Sequence, residues 1–249
     1  MSDPTTAPVS RLGAAYESLY GTLAGTRPTL RPWHFQWLAT IDIRRDLARA
    51  LPACRGTFLD VGCGAKPYRP LTTAVDKYIG ADITPAPDVD IVLVPGAPIP
   101  LADASVDAIL CTQVLEHVAD FDQVWGEMQR VLRPGGTLIV TVPFFYNEHG
   151  SPHDYRRFSV HGLRRIAGRD FEVLDLHPQG GIGSTGIMAL LNWWDMTLGL
   201  TWWSRLLKGI LLPLWLPACA MANLTGWCLD RVDHTGKFYH NVMLVARRR

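Results

Sequence analysis

The stretch FLDVGCGAKPY, residues 58–68, decides the fold of this chain. The apolar run over residues 57–61, which includes the first four residues of this stretch, is closed by Gly62 and Gly64. This is the pattern of a buried parallel strand that ends in a tight turn. Glycines at this point let a ligand approach the main chain where any Cβ would intrude. The stretch therefore predicts a strand followed by a ligand-binding turn.

Two carboxylates flank this turn in the sequence. Asp60 lies just before the first glycine, and Asp82 ends the next candidate strand, residues 78–83. A carboxylate at the end of the second strand is placed to accept hydrogen bonds from the two hydroxyls of a ribose. Together the turn and Asp82 predict a nucleoside-containing cofactor.

The third glycine position of a dinucleotide-binding turn separates two kinds of cofactor. A pyrophosphate needs G-x-G-x-x-G, so that the helix N-terminus can meet it, and here the third position is Pro67. A nucleoside without phosphates, such as S-adenosylmethionine, fits better, and Asp60 would suit its ammonium group and repel phosphates. A nicotinamide-dependent reductase stays open as an alternative only if Pro67 is tolerated.

Strands and helices alternate along the rest of the chain. Further strands are predicted over residues 107–111, 137–143, 171–176 and 240–246, and helices over residues 33–51, 114–132 and 159–167, the last with Ser159 as its N-cap. Strands at these intervals imply right-handed crossovers and a parallel sheet with helices on both faces. Ligands of such sheets bind beyond the carboxyl ends of the strands.

Composition excludes several classes of protein. The chain has 249 residues, 48% of them hydrophobic, and a formal net charge of +1, so neither a disordered chain nor a polycation that binds nucleic acid by charge alone is expected. Its five cysteines include no C-x-x-C pair, so we expect no disulfide framework, no metal site and a reducing compartment. The first residues, MSDPTTAPVSRLG, do not have the pattern of a secretory signal, which predicts a cytoplasmic protein.

Four motifs, in this order along the chain, resemble those of the class I S-adenosylmethionine-dependent methyltransferases, and the resemblance covers about residues 55–177 and the last strand. They are FLDVGCGAKPY, YIGADI, IPLADASVDAILCTQVLEHV and MQRVLRPGGTLIVTVPF, at the intervals usual in that family. The resemblance implies an α/β, Rossmann-like fold with a seven-stranded, mostly parallel sheet, and S-adenosylmethionine as cofactor.

The resemblance also implies a set of cofactor-binding residues. They are Asp60, Gly62, Gly64, Asp82, Gly96 and Gln113. The first three would line the methionine part, Asp82 would bind the ribose, and Gln113 would lie on the cofactor side of the pocket after the fourth strand. Pro95 stands where many members carry an acidic residue for the adenine amino group, so main-chain groups near Gly96 and apolar walls would contact the adenine.

Methyl transfer to a hydroxyl is helped by a general base, for which histidine is the usual candidate. His117 follows the fourth strand, where the resembling family often has a Glu-His or similar pair. It is a candidate catalytic residue, and the alternative is a histidine at a helix start that packs on the cofactor.

The polar loop over residues 147–158 follows the fifth strand and resembles the Pro-His-Asp-Tyr-x-Arg-Phe segment of one branch of these methyltransferases. We expect His153 or His149 to be the base, with Asp154 orienting a histidine and Tyr155 or Arg156 holding the acceptor. The alternative is a salt-bridged loop that anchors the helix predicted from Ser159.

An apolar insertion, residues 182–229, precedes the last strand. It has only three charged residues, and six of the nine tryptophans of the chain lie in it: Trp193, Trp194, Trp202, Trp203, Trp215 and Trp227. A single membrane crossing would separate the last strand from its sheet, so a helical excursion with peripheral membrane contact is the prediction. A homodimer surface and a lid over an apolar acceptor pocket are the alternatives.

The sequence thus predicts one methyltransferase domain over residues 1–249. Its parts are an N-terminal helical segment (1–54), the cofactor-binding core (55–181), the apolar insertion (182–229), and the last strand with a basic tail (230–249). Its acceptor would be small or lipid-linked, methylated at oxygen, and nucleic acid is not expected as a partner. A non-catalytic cofactor-binding module, recruited to membrane or partner through the insertion, is the alternative.

Overall fold

The computed structural model describes residues 11–199 and 201–249. Contacts divide the chain into two compact units, which we name by their content. The helical unit comprises Met1–Asp42, in its described part, and Gly180–Tyr239; the sheet unit comprises Ile43–Gln179 and His240–Arg249. The polar start of the chain, residues 1–10, lies outside the described residues, and the single-domain division stays a prediction.

The sheet unit contains a seven-stranded sheet. Its strands are β1 (Gly56–Val61), β2 (Val75–Asp82), β3 (Ile91–Val92), β4 (Val106–Thr112), β5 (Leu132–Pro143), β6 (Phe171–Gln179) and β7 (Asn241–Arg248). The strand order is β3-β2-β1-β4-β5-β7-β6. Neighbours among β1 to β5 pair in parallel, whereas β7 is antiparallel to both β5 and β6. The predicted Rossmann-like, mostly parallel sheet is confirmed.

Six α-helices accompany the strands in the described part of the chain. They are α1 (Arg11–Ala24), α2 (Trp37–Ala50), α3 (Phe121–Val131), α4 (Val160–Asp170), α5 (Ile182–Thr197) and α6 (Trp202–Val232). The helix predicted over residues 114–132 is wrong at its start. A short 3₁₀ turn, Leu115–His117, ends in extended backbone at Val118, and α3 begins only after Asp120, whose side chain accepts a hydrogen bond from the backbone N–H of Gln123 at 3.1 Å.

Helices cover both faces of the sheet. On one face Leu47 of α2 packs against Phe58 of β1 and Leu110 of β4. On the other, Trp125 of α3 contacts the ring of Phe171 edge-on, with 5.5 Å between centroids. This packing fixes the strands, so the loops that follow β1, β2, β4 and β5 share one edge of the sheet.

The helical unit contains the predicted insertion as a hairpin of α5 and α6. A Cβ added to Gly183 would lie 2.0 Å from the carbonyl oxygen of Gly226, so the two backbones are in direct contact near one end of the hairpin. Near the other end Lys208 Nζ is 2.7 Å from Asp195 Oδ1. The apolar helix expected before the last strand is therefore present.

Candidate cofactor and acceptor site

The turn after β1 places two glycines under different constraints. Gly62 has φ +73°, and an added Cβ there would lie 2.2 Å from Cγ2 of Val114. Gly64 has φ +48°, and an added Cβ would meet nothing within 4 Å. Gly62 thus lets the turn pack against the segment after β4, whereas Gly64 presents bare main chain to open space, as a ligand cradle requires.

Asp82, at the end of β2, is joined directly to this turn. Its Oδ2 accepts a hydrogen bond from the backbone N–H of Gly64 at 3.0 Å, and its Oδ1 accepts one from Thr84 N–H at 2.9 Å. An ionised carboxylate has about four acceptor positions, so two more remain for hydroxyl donors. Two residues that the sequence assigned separately to a cofactor are therefore in contact.

Asp60 lies beneath the turn and is almost fully buried, with 2% of its surface exposed. The hydroxyl of Tyr78 donates a hydrogen bond to its Oδ2. Burial raises the pKa of Asp60 to about 6, against the opposing effects of that hydrogen bond and of the Lys66 charge. Keeping Asp60 ionised therefore costs free energy, and a nearby cation would lower that cost.

Gln113 and Gly96 complete the predicted cofactor residues. The side-chain amide of Gln113, just after β4, donates to Oγ1 of Thr141 at 3.2 Å and to Oδ1 of Asn241 at 2.8 Å, which ties it to β5 and β7. Gly96 is exposed, and an added Cβ there would meet nothing within 4 Å. The first residue is thus held rigidly by its neighbours, and the second offers open main chain.

Asp154 organises the polar loop after β5. Only 2% of its side chain is exposed, and it accepts hydrogen bonds from two guanidinium nitrogens of Arg157, at 2.5 and 2.7 Å, and from the backbone N–H of His149 at 2.9 Å. The Arg157 hydrogen bonds lower the pKa of Asp154 to about 2. The carboxylate is therefore ionised at neutral pH and fixes the loop conformation.

The two loop histidines differ in environment. His149 is half-buried, its Nδ1 lies 3.2 Å from the carbonyl oxygen of Asn147 and 3.5 Å from Asp154 Oδ2, and burial lowers its pKa. His153 is exposed, and its Nδ1 lies 2.9 Å from the hydroxyl of Tyr155. The structure thus brings Asp154 near His149 and Tyr155 near His153.

Arg156 attaches the loop to the segment that follows β4. Its guanidinium donates to the carbonyl oxygens of Val118 and Ala119, the second at 3.0 Å, and lies 5.6 Å from the ring centroid of Phe121. The loop backbone adds a hydrogen bond from Tyr155 N–H to the Glu116 carbonyl at 2.8 Å. Arg156, expected from the sequence to hold the acceptor, thus contacts protein carbonyls in this structure.

His117 and Glu116 form, with His149, a cluster that the sequence did not predict. His117 Nε2 lies 3.2 Å from His149 Nε2, although the two residues are 32 positions apart in the chain. Glu116 is fully buried, and burial raises its pKa to about 7. The sequence shows Glu116 beside His117, but spacing along the chain does not indicate their contact with His149.

Comparisons with known proteins support a methyltransferase domain in the sheet unit. Residues 59–140 match the family model described as Methyltransferase domain. A "Probable S-adenosylmethionine-dependent methyltransferase" of Mycolicibacterium smegmatis is 40% identical over 95 residues, which cover 34% of this chain and 37% of that protein. The chain spans about a third of the length of the first curated relatives it matches.

Solved structures with this fold include enzymes of different activities. The 4+2 cyclase SpnF superposes with a TM-score of 0.53 at 20% identity, over 85% of this chain and 82% of that one. Geranyl diphosphate methyltransferase in complex with S-adenosylmethionine superposes with a TM-score of 0.51 at 14% identity, over 85% and 86% of the two chains. At these identities the likeness shows the fold alone.

Proposed function

We propose that this protein transfers the methyl group of S-adenosylmethionine to a hydroxyl of a small or lipid-linked acceptor, because residues 59–140 match the family model described as Methyltransferase domain. The observation that carries the proposal is the direct hydrogen bond between Gly64 of the glycine turn and the Asp82 carboxylate. Through this hydrogen bond the exposed main chain of the turn lies beside a carboxylate that can still accept from the two ribose hydroxyls, at the carboxyl edge of the sheet.

The residues present fit this cofactor. Asp82 would bind the ribose hydroxyls, and Gly62 and Gly64 would line the methionine part. The ammonium group beside Asp60 would lower the free-energy cost of keeping that buried carboxylate ionised. The bound cofactor supplies a methyl carbon already activated by the sulfonium. The task left to the chain is to hold the acceptor oxygen in line with that carbon, to exclude water and to remove one proton.

The proton acceptor in this proposal is one of the two loop histidines. His149 is half-buried with a lowered pKa, so its imidazole is neutral at physiological pH, as a base must be. His153 is exposed and positioned by Tyr155, and its ring is within reach of an acceptor that enters from solvent. Asp154 acts as a positioning residue, because it holds the loop through Arg157 and the His149 backbone.

Cofactor binding is tested with Asp82→Asn, which keeps the shape of the side chain and removes its charge. Loss of charge-assisted hydrogen bonds should weaken S-adenosylmethionine binding roughly 10- to 100-fold in isothermal titration calorimetry. Asp88→Asn, at an exposed position in the loop after β2, is the matched control. A wild-type chain that binds a nicotinamide nucleotide but not S-adenosylmethionine would overturn the proposal.

Turnover is tested by incubating the protein with isotopically labelled cofactor and cell extract, and following S-adenosylhomocysteine and the labelled product by mass spectrometry. His149→Ala and His153→Ala are compared separately, each with its cofactor affinity measured alongside. Unchanged turnover in both would remove them from the mechanism. Cofactor binding with no product from any extract would favour the non-catalytic binding module.

Peripheral contact of the helical unit with the cytoplasmic face of a membrane is part of this proposal. Residues Trp203–Val232 are long and apolar enough to cross a bilayer, and only 17% of the most apolar 18-residue window is buried. One side of α6 nevertheless packs within the unit, where Leu212 contacts Tyr20 of α1. A helix covered on one side and apolar on the other favours a position in the plane of the interface, with a lipid-linked acceptor nearby.

A further inference from the structure

Three ligand-type side chains converge beyond the ends of β4 and β5. One nitrogen or oxygen from each of Glu116, His117 and His149 lies within 4.8 Å of the others. Glu116 and His117 belong to the 3₁₀ turn after β4, and His149 to the loop after β5. The cluster is thus built on two neighbouring parallel strands of a rigid sheet.

Hydrogen bonds outside the cluster set the orientation of both imidazoles. His117 Nδ1 lies 2.5 Å from the carbonyl oxygen of His153, and His149 Nδ1 lies 3.2 Å from that of Asn147. A carbonyl oxygen only accepts, so these contacts assign the proton of each neutral imidazole to its Nδ1. Both Nε2 atoms then have a lone pair, and these lone pairs face one another across 3.2 Å.

Two lone pairs at this separation repel each other unless a proton or a metal ion lies between them. In a tetrahedral zinc site with Zn–N bonds of 2.0–2.1 Å, two imidazole nitrogens are about 3.3 Å apart. The observed separation of 3.2 Å is close to that value. The carbonyl partners of Nδ1 are also the outer contacts that orient histidine ligands in metal sites.

Glu116 provides an independent observation, a buried carboxyl group without a hydrogen-bond partner on any other described residue. It is fully buried, and neither carboxylate oxygen has a hydrogen-bond partner on another residue in the part of the chain that the structure describes. Its Oε1 lies 3.9 Å from His117 Nε2. A buried carboxyl group stays ionised only when a positive charge or a set of donors compensates it, and otherwise it takes up a proton.

From this geometry we propose that Glu116, His117 and His149 bind a divalent transition-metal ion of the zinc class. Two neutral imidazoles and one carboxylate are a donor set that such ions prefer, and three protein ligands leave one position open. The open position would accept a hydroxyl oxygen and make its proton easier to remove. This departs from the expectation of no metal site, which considered cysteine pairs alone.

The loop after β5 packs on the cluster and is hydrogen-bonded to it. A Cβ added to Gly150 would lie 3.1 Å from Cε1 of His117, so the loop backbone packs directly on that imidazole. Tyr155 N–H is bonded to the Glu116 carbonyl at 2.8 Å, and Asp154 is bonded to the His149 backbone. With His149 as a ligand, His153 is the loop histidine that remains to receive the proton.

The test measures metal binding without cofactor or acceptor, so its outcome is independent of the proposed methyl transfer. The full chain, without a histidine tag, is stripped with a chelator and titrated with Zn²⁺ by calorimetry and with Co²⁺ by visible absorption. We expect one ion per chain. X-ray absorption of the zinc-loaded wild type should show two imidazole ligands, and this readout requires no variant.

His149→Ala and Glu116→Gln are the test variants, and His161→Ala, an exposed histidine on α4, is the matched control. We expect His149→Ala to lower the affinity about 100-fold or more and the control to leave it unchanged. Circular dichroism checks that each variant is folded. Absence of binding in the wild type, fewer than two imidazoles in the absorption spectrum, or equal loss in His161→Ala would overturn the proposal.

Discussion

At the scale of the residue, Gly62 and Gly64 lie in the same turn but differ in the space around them. Gly62→Ala places a Cβ 2.2 Å from Val114 Cγ2 at a positive φ, so we expect it to lower the free energy of unfolding by roughly 2–4 kcal/mol. Gly64→Ala meets open space and should cost only about 1 kcal/mol, yet weaken S-adenosylmethionine binding. Urea denaturation and calorimetry measure the two effects.

The control for this pair is Val114→Ala combined with Gly62→Ala. Removing the Val114 methyl groups relieves the steric clash but leaves the cost of the positive φ, so the double variant should be more stable than Gly62→Ala alone. If Gly64→Ala proved the less stable of the two single variants, the assignment of these roles would be reversed.

Asp60 gives a pH-dependent prediction. Its pKa is raised from 3.8 to about 6 by burial, so the folded protein binds this proton more tightly than the unfolded chain does. The ionised carboxylate then destabilises the fold above about pH 6, by up to about 3 kcal/mol, and the effect disappears below about pH 4. Asp60→Asn should therefore be more stable than wild type at pH 8.

The measurement is urea denaturation of both proteins at pH 4, 6 and 8. The stability difference should grow between pH 4 and 6 and then level off, while the variant keeps an acceptor for the Tyr78 hydroxyl and loses affinity for S-adenosylmethionine. A difference that stayed constant over this range would show that the charge of Asp60 is not its cause.

At the scale of the element, Ser159 tests a cap that the sequence predicted and the structure contains. Its Oγ accepts the Gly162 N–H at 3.1 Å at the start of α4. Ser159→Ala should lower the free energy of unfolding by about 1 kcal/mol, whereas Ser159→Asn, which can also cap, should change it little. Equal losses in the two variants would mean that side-chain capping does not hold this helix end.

Elements with a strong periodic pattern were predictable, and those fixed by a few atoms were not. The apolar run of β1 and the Ser159 cap of α4 were both read correctly from the sequence. Strand β3 was missed because two residues, Ile91–Val92, carry no periodicity. The break before α3 was missed because it depends on the Asp120 cap inside an otherwise helical apolar spacing.

The candidate site, too, could be predicted from the sequence only in part. Gly64 and Asp82, which the structure brings into contact, could be named as candidates because each lies beside a strand end that the apolar pattern already indicates. The cluster of Glu116 with His149 was not found, because it depends on how two loops fold towards each other beyond the strands. Contacts of this kind need side-chain orientation, which spacing along the chain does not supply.

At the scale of the whole molecule, helix α6 carries an exposed apolar stripe. Trp203, Ile210, Leu214 and Met221 are 60%, 66%, 70% and 71% exposed. Their spacings of 7, 4 and 7 residues place them on one side of the helix, along about 27 Å of its length. A continuous apolar stripe of this length exceeds what scattered surface residues produce and indicates an interaction surface.

Membrane contact through this stripe predicts that the triple variant Ile210→Gln, Leu214→Gln, Met221→Gln loses binding to anionic liposomes in co-sedimentation. The substituted side chains are all well exposed, so the fold should be retained. The control replaces the exposed Leu19 and Leu174, which lie outside α6, by Gln and should sediment with liposomes as wild type does. If instead the wild type does not bind liposomes but forms a dimer in sedimentation velocity, and the triple variant is monomeric, the stripe is a subunit interface.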